Sequence, residues 1–423
     1  MNFLEQARQQ FTEQCKLARE PEKVLRQAAW AQFERQGLPA RGNEAWKYSS
    51  LNQISQKSWT TPTPSENLPA KAEALIRQWR DQFDVAVMVN GQLHKKASRL
   101  TLEAGYEFKS LAAASESLHM DFDDGMISLA AAANSAGYYL RVEPKVSFPK
   151  PLLIVHCASG DGTWTSTLNR IELADGAQMQ VAEVFVGERA YLRTDVTKVD
   201  LAPQANLTWV RLQEESIKAS HFSEVQVALQ NAAILNLSQL NVGGEWARHS
   251  LKIKILGEHA EANVQGLTFG GDHQHLDQRV NVEHRAGNSS SAQLFKGVLK
   301  DHARGILNGK IYIARDAQKV NSSQLNHNLL MSNTAEADTK PELEIYADDV
   351  KANHGASVGK MDESKLFYLL SRAIPRAEAT QMLAQAFVGD VLMKIPAKAL
   401  RDLASEQVEA QLKDFVREME TLQ

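Results

Sequence analysis

DGAQMQV (Asp175–Val181), PQANLTW (Pro203–Trp209), NAAILNL (Asn231–Leu237) and EANVQGL (Glu261–Leu267) each place an alanine two residues before an apolar one. The alanines are Ala177, Ala205, Ala233 and Ala262, spaced 28, 28 and 29 residues apart. The last three follow alternating segments, VTKVDL, EVQVAL and LKIKIL. A period of this length is the signature of a solenoid, in which each coil stacks a small corner residue and its inward apolar residues on the coil below. The competing arrangement is a β-sandwich built from regular hairpins. Asn-Gly and Asp-Gly turns are not placed systematically between these strands, so the pattern predicts a β-helix.

The alternation extends well beyond the four repeats. From about residue 83 to 350 apolar and polar residues mostly alternate, as in FDVAVMVNG, SLKIKILG and GKIYIARD, which predicts half-buried strands. The flanks read differently. LEQARQQFTEQCKLARE and PEKVLRQAAWAQFERQG lack internal glycine, are divided by Pro21, and end at Gly37, so the first 80 residues predict helices. After Met361 helix returns: Pro375 and Pro396 sit at first-turn positions, and Ala379, Met382, Leu383, Ala386, Val391 and Ile395 form an apolar stripe. A second stripe runs through Val408, Leu412, Phe415, Val416 and Met419. The predicted plan is mainly β with helical ends: a helical domain over 1–82, a β-helix core over 83–360, and a helical domain over 361–423.

Composition narrows the function. The 423 residues are 43% hydrophobic and 23% charged, with 47 basic and 51 acidic residues and a formal charge of -4. No global field steers such a chain toward nucleic acid or an anionic membrane. Glu5 and Arg8 interrupt the first residues where a signal peptide needs an apolar run, and no window approaches a membrane span, so a cytoplasmic protein is expected. Two cysteines, Cys15 and Cys157, are too few for a disulfide framework or a four-cysteine site. Cys157, in LLIVHCAS, reads as a buried small hydrophobe, and Cys15 as incidental on its helix.

The stretch DTKPELEIYADDVKANHGASVGKMD (Asp338–Asp362) concentrates the candidate chemistry. GASVGKM falls short of a phosphate-binding loop, having three residues between its glycines and no Ser or Thr after Lys360, so no nucleotide is expected on this chain. Asp348 and Asp349 invite a carbohydrate-active β-helix enzyme, but adjacent strand residues face opposite ways unless the strand breaks there. His273 and His275 are two apart and share a predicted face with Asp277, which suits a metal, yet no third histidine or cysteine follows at short spacing. A surface pair at a solenoid corner is the simpler reading. His354 follows the strand signal ELEIYADDVKA and precedes Gly355, which predicts an imidazole presented at a strand end.

LPARGNEAWKYSSL (Leu38–Leu51) resembles the LP…E-x-WKYT-x-L signature of the SufB/SufD family, and Asp338–Ile374 closely resembles that family's C-terminal block. The resemblance spans nearly the whole chain. It implies a right-handed parallel β-helix between helical domains, and a non-catalytic scaffold in SUF iron-sulfur cluster assembly. It further implies pairing with SufB through the last strands, docking of the ATPase SufC on the C-terminal helices, and sulfur supplied through SufS and SufE. In isolation a homodimer is expected through the same strand edge, because an uncapped β-helix flank presents unpaired backbone groups. His354 matches the family histidine that faces SufB as an iron or cluster ligand, or as a polar group there. Where many members of this branch carry cysteine two residues earlier, this chain has Ala352, so a thiolate must come from the partner. Glu44, Trp46, Lys47 and Tyr48 belong to the signature and read as structural. The family is associated with reduced flavin, but no flavin motif is visible.

Overall fold

Gly176, Gln204, Ala232, His259, Asn288 and Lys319 share one backbone conformation, with φ between 52° and 67°. Each immediately precedes a fully buried residue: Ala177, Ala205, Ala233, Ala260, Ser289 and Val320. The left-handed residue turns the chain sharply, and its N–H donates to the next coil, as from Gln204 to Asn231 O (2.9 Å), Ala232 to Glu258 O (2.8 Å) and Lys319 to Asp349 O (2.6 Å). The residue after it sits in the crowded angle, where three of four repeats seen in the sequence put alanine. The fourth corner alanine is Ala260. Ala262, assigned by the sequence pattern, pairs with Leu235, one step inside the strand.

The computed structural model describes residues 2–40, 42–63, 65–101, 105–113, 120–134, 136–148 and 150–421, without the side chains of 21, 53 and 417–421. Each coil adds one strand to each of two sheets. One sheet has ten strands and ends at Lys351–Lys360; the other has nine and ends at Glu336–Ile345. Neighbouring coils pair in parallel, giving a β-solenoid of about eight turns. The two ends differ. At the beginning, Gln92–Leu93 pairs antiparallel with Asp84–Val89, and Tyr106–Ser110 with Tyr138–Val142, so the first coil is blunted. At the other end, both final strands have one edge unpaired within the described chain.

Helices cover the outer faces. Trp46, Trp59, Trp164 and Trp246 pack with Phe3, Trp30 and Phe33 of the helices Phe3–Leu17 and Glu20–Gln36 on the nine-stranded side. The helix Gly125–Ala133 joins the same layer, so the interval 83–360 contributes one of its helices. On the ten-stranded side, Val388 and Val391 of Arg376–Met393 and Leu400, Leu403 and Leu412 of Lys398–Thr421 share one core with Val155, Val184 and Leu212. Many strands are therefore buried on both faces, as Asp84–Val89 is at every position, and the half-buried expectation fails for them. The C-terminal stripe divides: Ala379, Val391 and Ile395 are buried, whereas Met382 and Ala386 face outward and Leu383 is half-buried. Val408, Leu412, Phe415 and Val416 are buried, and the Met419 side chain lies outside the described residues. No described helix is long and apolar enough to cross a membrane.

Candidate functional site at the open end of the solenoid

His354 is the fourth of ten residues in Lys351–Lys360, not the end of a strand as its sequence context predicts. ELEIYADDVKA spans the close of one strand, a corner and the start of the next, where the sequence pattern reads as a single strand. His354 pairs with Gln324, which pairs with Gln293, Val264, Leu237 and Trp209 in turn. These are inward positions: Gln324, Gln293, Val264, Leu237 and Trp209 are at most 2% exposed. His354 therefore ends an interior column. It is exposed because no further coil covers it among the described residues.

The edge it occupies is unusual. Lys351 and Lys360 flank it, but Ala352 to Gly359 carry no acidic or lysine side chain, and Gly355, Ala356 and Gly359 keep the strand slim. Natural edges are usually blunted by charge, proline or a bulge. The neighbouring edge strand has such devices, with Pro341 removing one donor and Glu336, Asp338, Lys340, Glu342 and Glu344 alternating along it. GASVGK is accordingly strand, not loop. Ala352 lies inward two residues before His354, packed near Ile311 and Ile313, and offers no metal ligand. Among the described residues no group of three His, Cys, Asp or Glu side chains is placed to hold a metal.

The other candidates separate. Asp348 and Asp349 occupy the corner before the last strand, both exposed; the break that would let them cooperate is present, but it turns them into solvent. The Asp349 backbone is engaged, its N–H donating to Gln318 Oε1 at 2.9 Å. His273 stacks on His302 of the next coil, 4.9 Å between ring centroids, and not on His275. His275 stacks on Trp246, and its Nε2 lies 2.8 Å from Ser49 Oγ, which donates to Asp277 Oδ2 at 2.6 Å. Burial lowers the pKa of His275, partly opposed by Asp277. Cys157 is buried, its thiol pushed up to about 12 by burial. Trp46 donates to Asp124 Oδ2 at 2.7 Å, under the Arg248 guanidinium at 3.8 Å from its ring centroid. A cleft of about 950 Å³ opens beside it, lined by Lys47, Tyr48, Trp246, His275 and Arg304.

The charged cluster inside the solenoid is not among the candidates that the sequence offered. Both ring nitrogens of His221 meet carboxylates, Nδ1 at 2.6 Å from Glu215 Oε2 and Nε2 against Asp195 Oδ1. Arg211 donates to Glu183 (3.0 Å) and Asp195 (2.9 Å), and Arg193 to Glu215 (3.1 Å). All six groups are at most 1% exposed except Glu215, at 4%. The signal was available: in YLRTDVTKVDL, Arg193 and Asp195 take the positions continued by Thr197, Val199 and Leu201, which face inward.

The SufBD core domain of SUF system FeS cluster assembly matches residues 156–387, and the SufBD protein N-terminal region matches 2–140. The chain is 32% identical over 384 residues to the iron-sulfur cluster assembly protein SufD of Escherichia coli, covering 89% of this chain and 88% of that protein. It is 26% identical to an iron-sulfur cluster assembly SufBD family protein of Synechocystis, over 65% of this chain and 63% of that one. Against the chloroplastic protein ABCI7 of Arabidopsis thaliana it is 30% identical, over 56% and 51%. Matches of this extent, on the fold described, place the chain in the SufB/SufD family of SUF iron-sulfur cluster assembly as a homologue of SufD.

Proposed function

We propose that this protein is a non-catalytic scaffold subunit that builds half of a cluster-assembly site. Its solenoid end stacks on the corresponding end of SufB, the two last strands pairing edge to edge. His354 supplies an imidazole ligand to the nascent cluster, which is cargo and not a resident cofactor, and SufB supplies the thiolate. The observation that supports this reading is the slim, lysine- and carboxylate-free edge from Ala352 to Gly359 with His354 on its inward side. Imidazole binds iron well, and one such donor from this chain leaves the remaining positions to the partner.

The outward part of the C-terminal helices takes the ATPase SufC. Met382 and Ala386 face out there, as do Phe367 at 72% and Tyr368 at 56% exposure. Sulfur arrives through SufS and SufE acting on the complex, in the cytoplasm, and alone the chain forms a homodimer through the same edge. Co-expression with SufB and SufC tests the assignment: one complex should elute, and His354→Ala should leave it intact while cluster maturation is lost. Normal maturation with His354→Ala would refute the assigned role.

A further inference from the structure

The open end presents two edge strands, and only one of them carries charge along its length. In Glu336–Ile345 the residues Thr339, Leu343 and Ile345 pair with Leu307, Ile311 and Ile313 of the coil beneath, on the inward face. That leaves Glu336, Asp338, Lys340, Glu342 and Glu344 in one row on the outer face. The row is held from below: Arg304 Nη2 lies 2.7 Å from Asp338 Oδ2, and Lys310 Nζ 2.7 Å from Glu344 Oε1. Lys340 Nζ reaches Glu342 Oε1 and Glu44 Oε1, each at 2.6 Å. On its other side no strand pairs with it among the described residues. The charges are thus fixed in place on the side where another chain would stack.

The order of the signs is symmetric. Read from either end, the row runs negative, negative, positive, negative, negative. An antiparallel strand pair sets residues of one face directly opposite each other, where like charges are destabilising. Laid along its whole length on its own copy, the row puts Glu336 against Glu344, Asp338 against Glu342 and Lys340 against Lys340, so every pair is like-charged. A slip of two residues in either direction still leaves as many like pairs as unlike ones. The uncharged edge from Ala352 to Gly359 has no such bias, because its backbone groups pair as readily with a second copy as with a different chain. Discrimination at this end therefore falls to the charged row.

We propose that this row decides which chain docks on the open end. It admits a partner strand whose facing positions bear lysine, arginine or uncharged side chains, and it weakens the docking of a second copy of this chain. The inference rests on the reading that the open end pairs with another chain through its last strands, and adds the repulsive element that makes the choice. A second copy still pairs through the uncharged strand, but against the repulsion of the like-charged pairs beside it.

Sedimentation of the full-length chain over a range of concentrations tests it. Glu342→Lys with Glu344→Lys breaks the symmetry and sets cations opposite Glu336 and Asp338 of the second copy. Both positions lie on the rim, where in-chain ion pairs contribute little to folding. In about 50 mM sodium chloride the double variant should self-associate about tenfold more tightly than the wild type, and in about 500 mM most of the difference should vanish. Self-association no tighter than that of the wild type would overturn the proposal. Ala356→Arg, which obstructs the uncharged strand, separates the two readings. If it abolishes pairing while the double variant changes nothing, the end pairs without charge selection and only the selection fails; if pairing survives it, the interface lies elsewhere and both fail. Should the double variant not fold, the wild type decides. Its homodimer should tighten about threefold or more between the two salt concentrations as the like charges are screened, and a homodimer that does not tighten refutes the proposal.

Discussion

His221 Nδ1 lies 2.6 Å from Glu215 Oε2 in the solenoid interior, while its Nε2 faces Asp195. Each nitrogen meets an acceptor that has no proton to give, so both must carry hydrogen and the ring is an imidazolium. Burial pushes its pKa down, but the charges of Glu215 and Asp195 outweigh that and raise it. For Glu215 burial pushes upward, and the charge and hydrogen bond of His221 with the charge of Arg193 overcome it, holding the carboxyl at about 2. Asp195 is depressed further, with Arg211 and His221 overcoming its burial.

Two pH limbs of stability follow. His221 has a folded pKa above its unfolded value near 6.5, so its contribution is complete below about pH 6.5 and is lost as pH rises through the elevated value. Glu215 works in the opposite sense: its contribution is complete above an unfolded value near 4.3 and disappears as pH falls toward about 2. Urea unfolding of the wild type across pH should show both limbs. His221→Ala should flatten the alkaline one and cost about 3–5 kcal/mol at neutral pH, because it leaves three buried carboxylates, Glu183, Asp195 and Glu215, facing only Arg193 and Arg211.

Pairing at the open end should be separable from folding. Ala356 is exposed on the last strand and belongs to the inward column of Asn326 and Phe295. Ala356→Arg should leave the unfolding free energy of the monomer unchanged within about 0.5 kcal/mol, since nothing among the described residues covers it. Light scattering is expected to show the wild type as a dimer and the variant as a monomer, and co-expression of the variant should yield no complex with SufB. A variant that still pairs would move the interface elsewhere.

The corner makes a local prediction. Ala232 holds φ 54° and Ala233 beside it is fully buried. Ala232→Gly relieves a left-handed penalty of about 1 kcal/mol, offset by the extra entropy of the unfolded glycine, so it should be neutral or slightly stabilising. Ala233→Leu should destabilise by about 1–3 kcal/mol through overpacking against the adjacent coils. Paired denaturation curves check the contrast, and an equal loss at both positions would contradict the corner geometry.

Trp46 tests the reading of the N-terminal signature as structural. Asp124 accepts from Trp46 Nε1 with one oxygen, and with the other caps the helix Gly125–Ala133 through Met126 N (2.9 Å) and Ile127 N. Trp46→Ala should cost about 3–5 kcal/mol and Trp46→Phe about 1 kcal/mol, the latter losing the hydrogen bond but keeping the stack on Phe222 and Trp246. Thermal unfolding followed by near-ultraviolet dichroism would show whether the helical layer loosens first.

The sequence by itself determined the solenoid, its period and its helical ends, because alternation and helical periodicity are local consequences of which faces are covered. It also singled out His354 and excluded a thiolate at Ala352. It could not choose between Ala260 and Ala262: a shift of two residues keeps every side chain on the same face, so alternation is blind to it. What decides is the left-handed turn at His259, and neither His259, Gln204 nor Lys319 advertises that conformation, which the stacked coils enforce. Only the tertiary structure moved His354 from a strand end to the end of an interior column, because the column is defined by coils about thirty residues apart in sequence. The same holds for Ser49, which meets His275 and Asp277 across 226 and 228 residues, and for the charges around His221. Such groups are set by stacking register, a property of the assembled coils and not of any one of them.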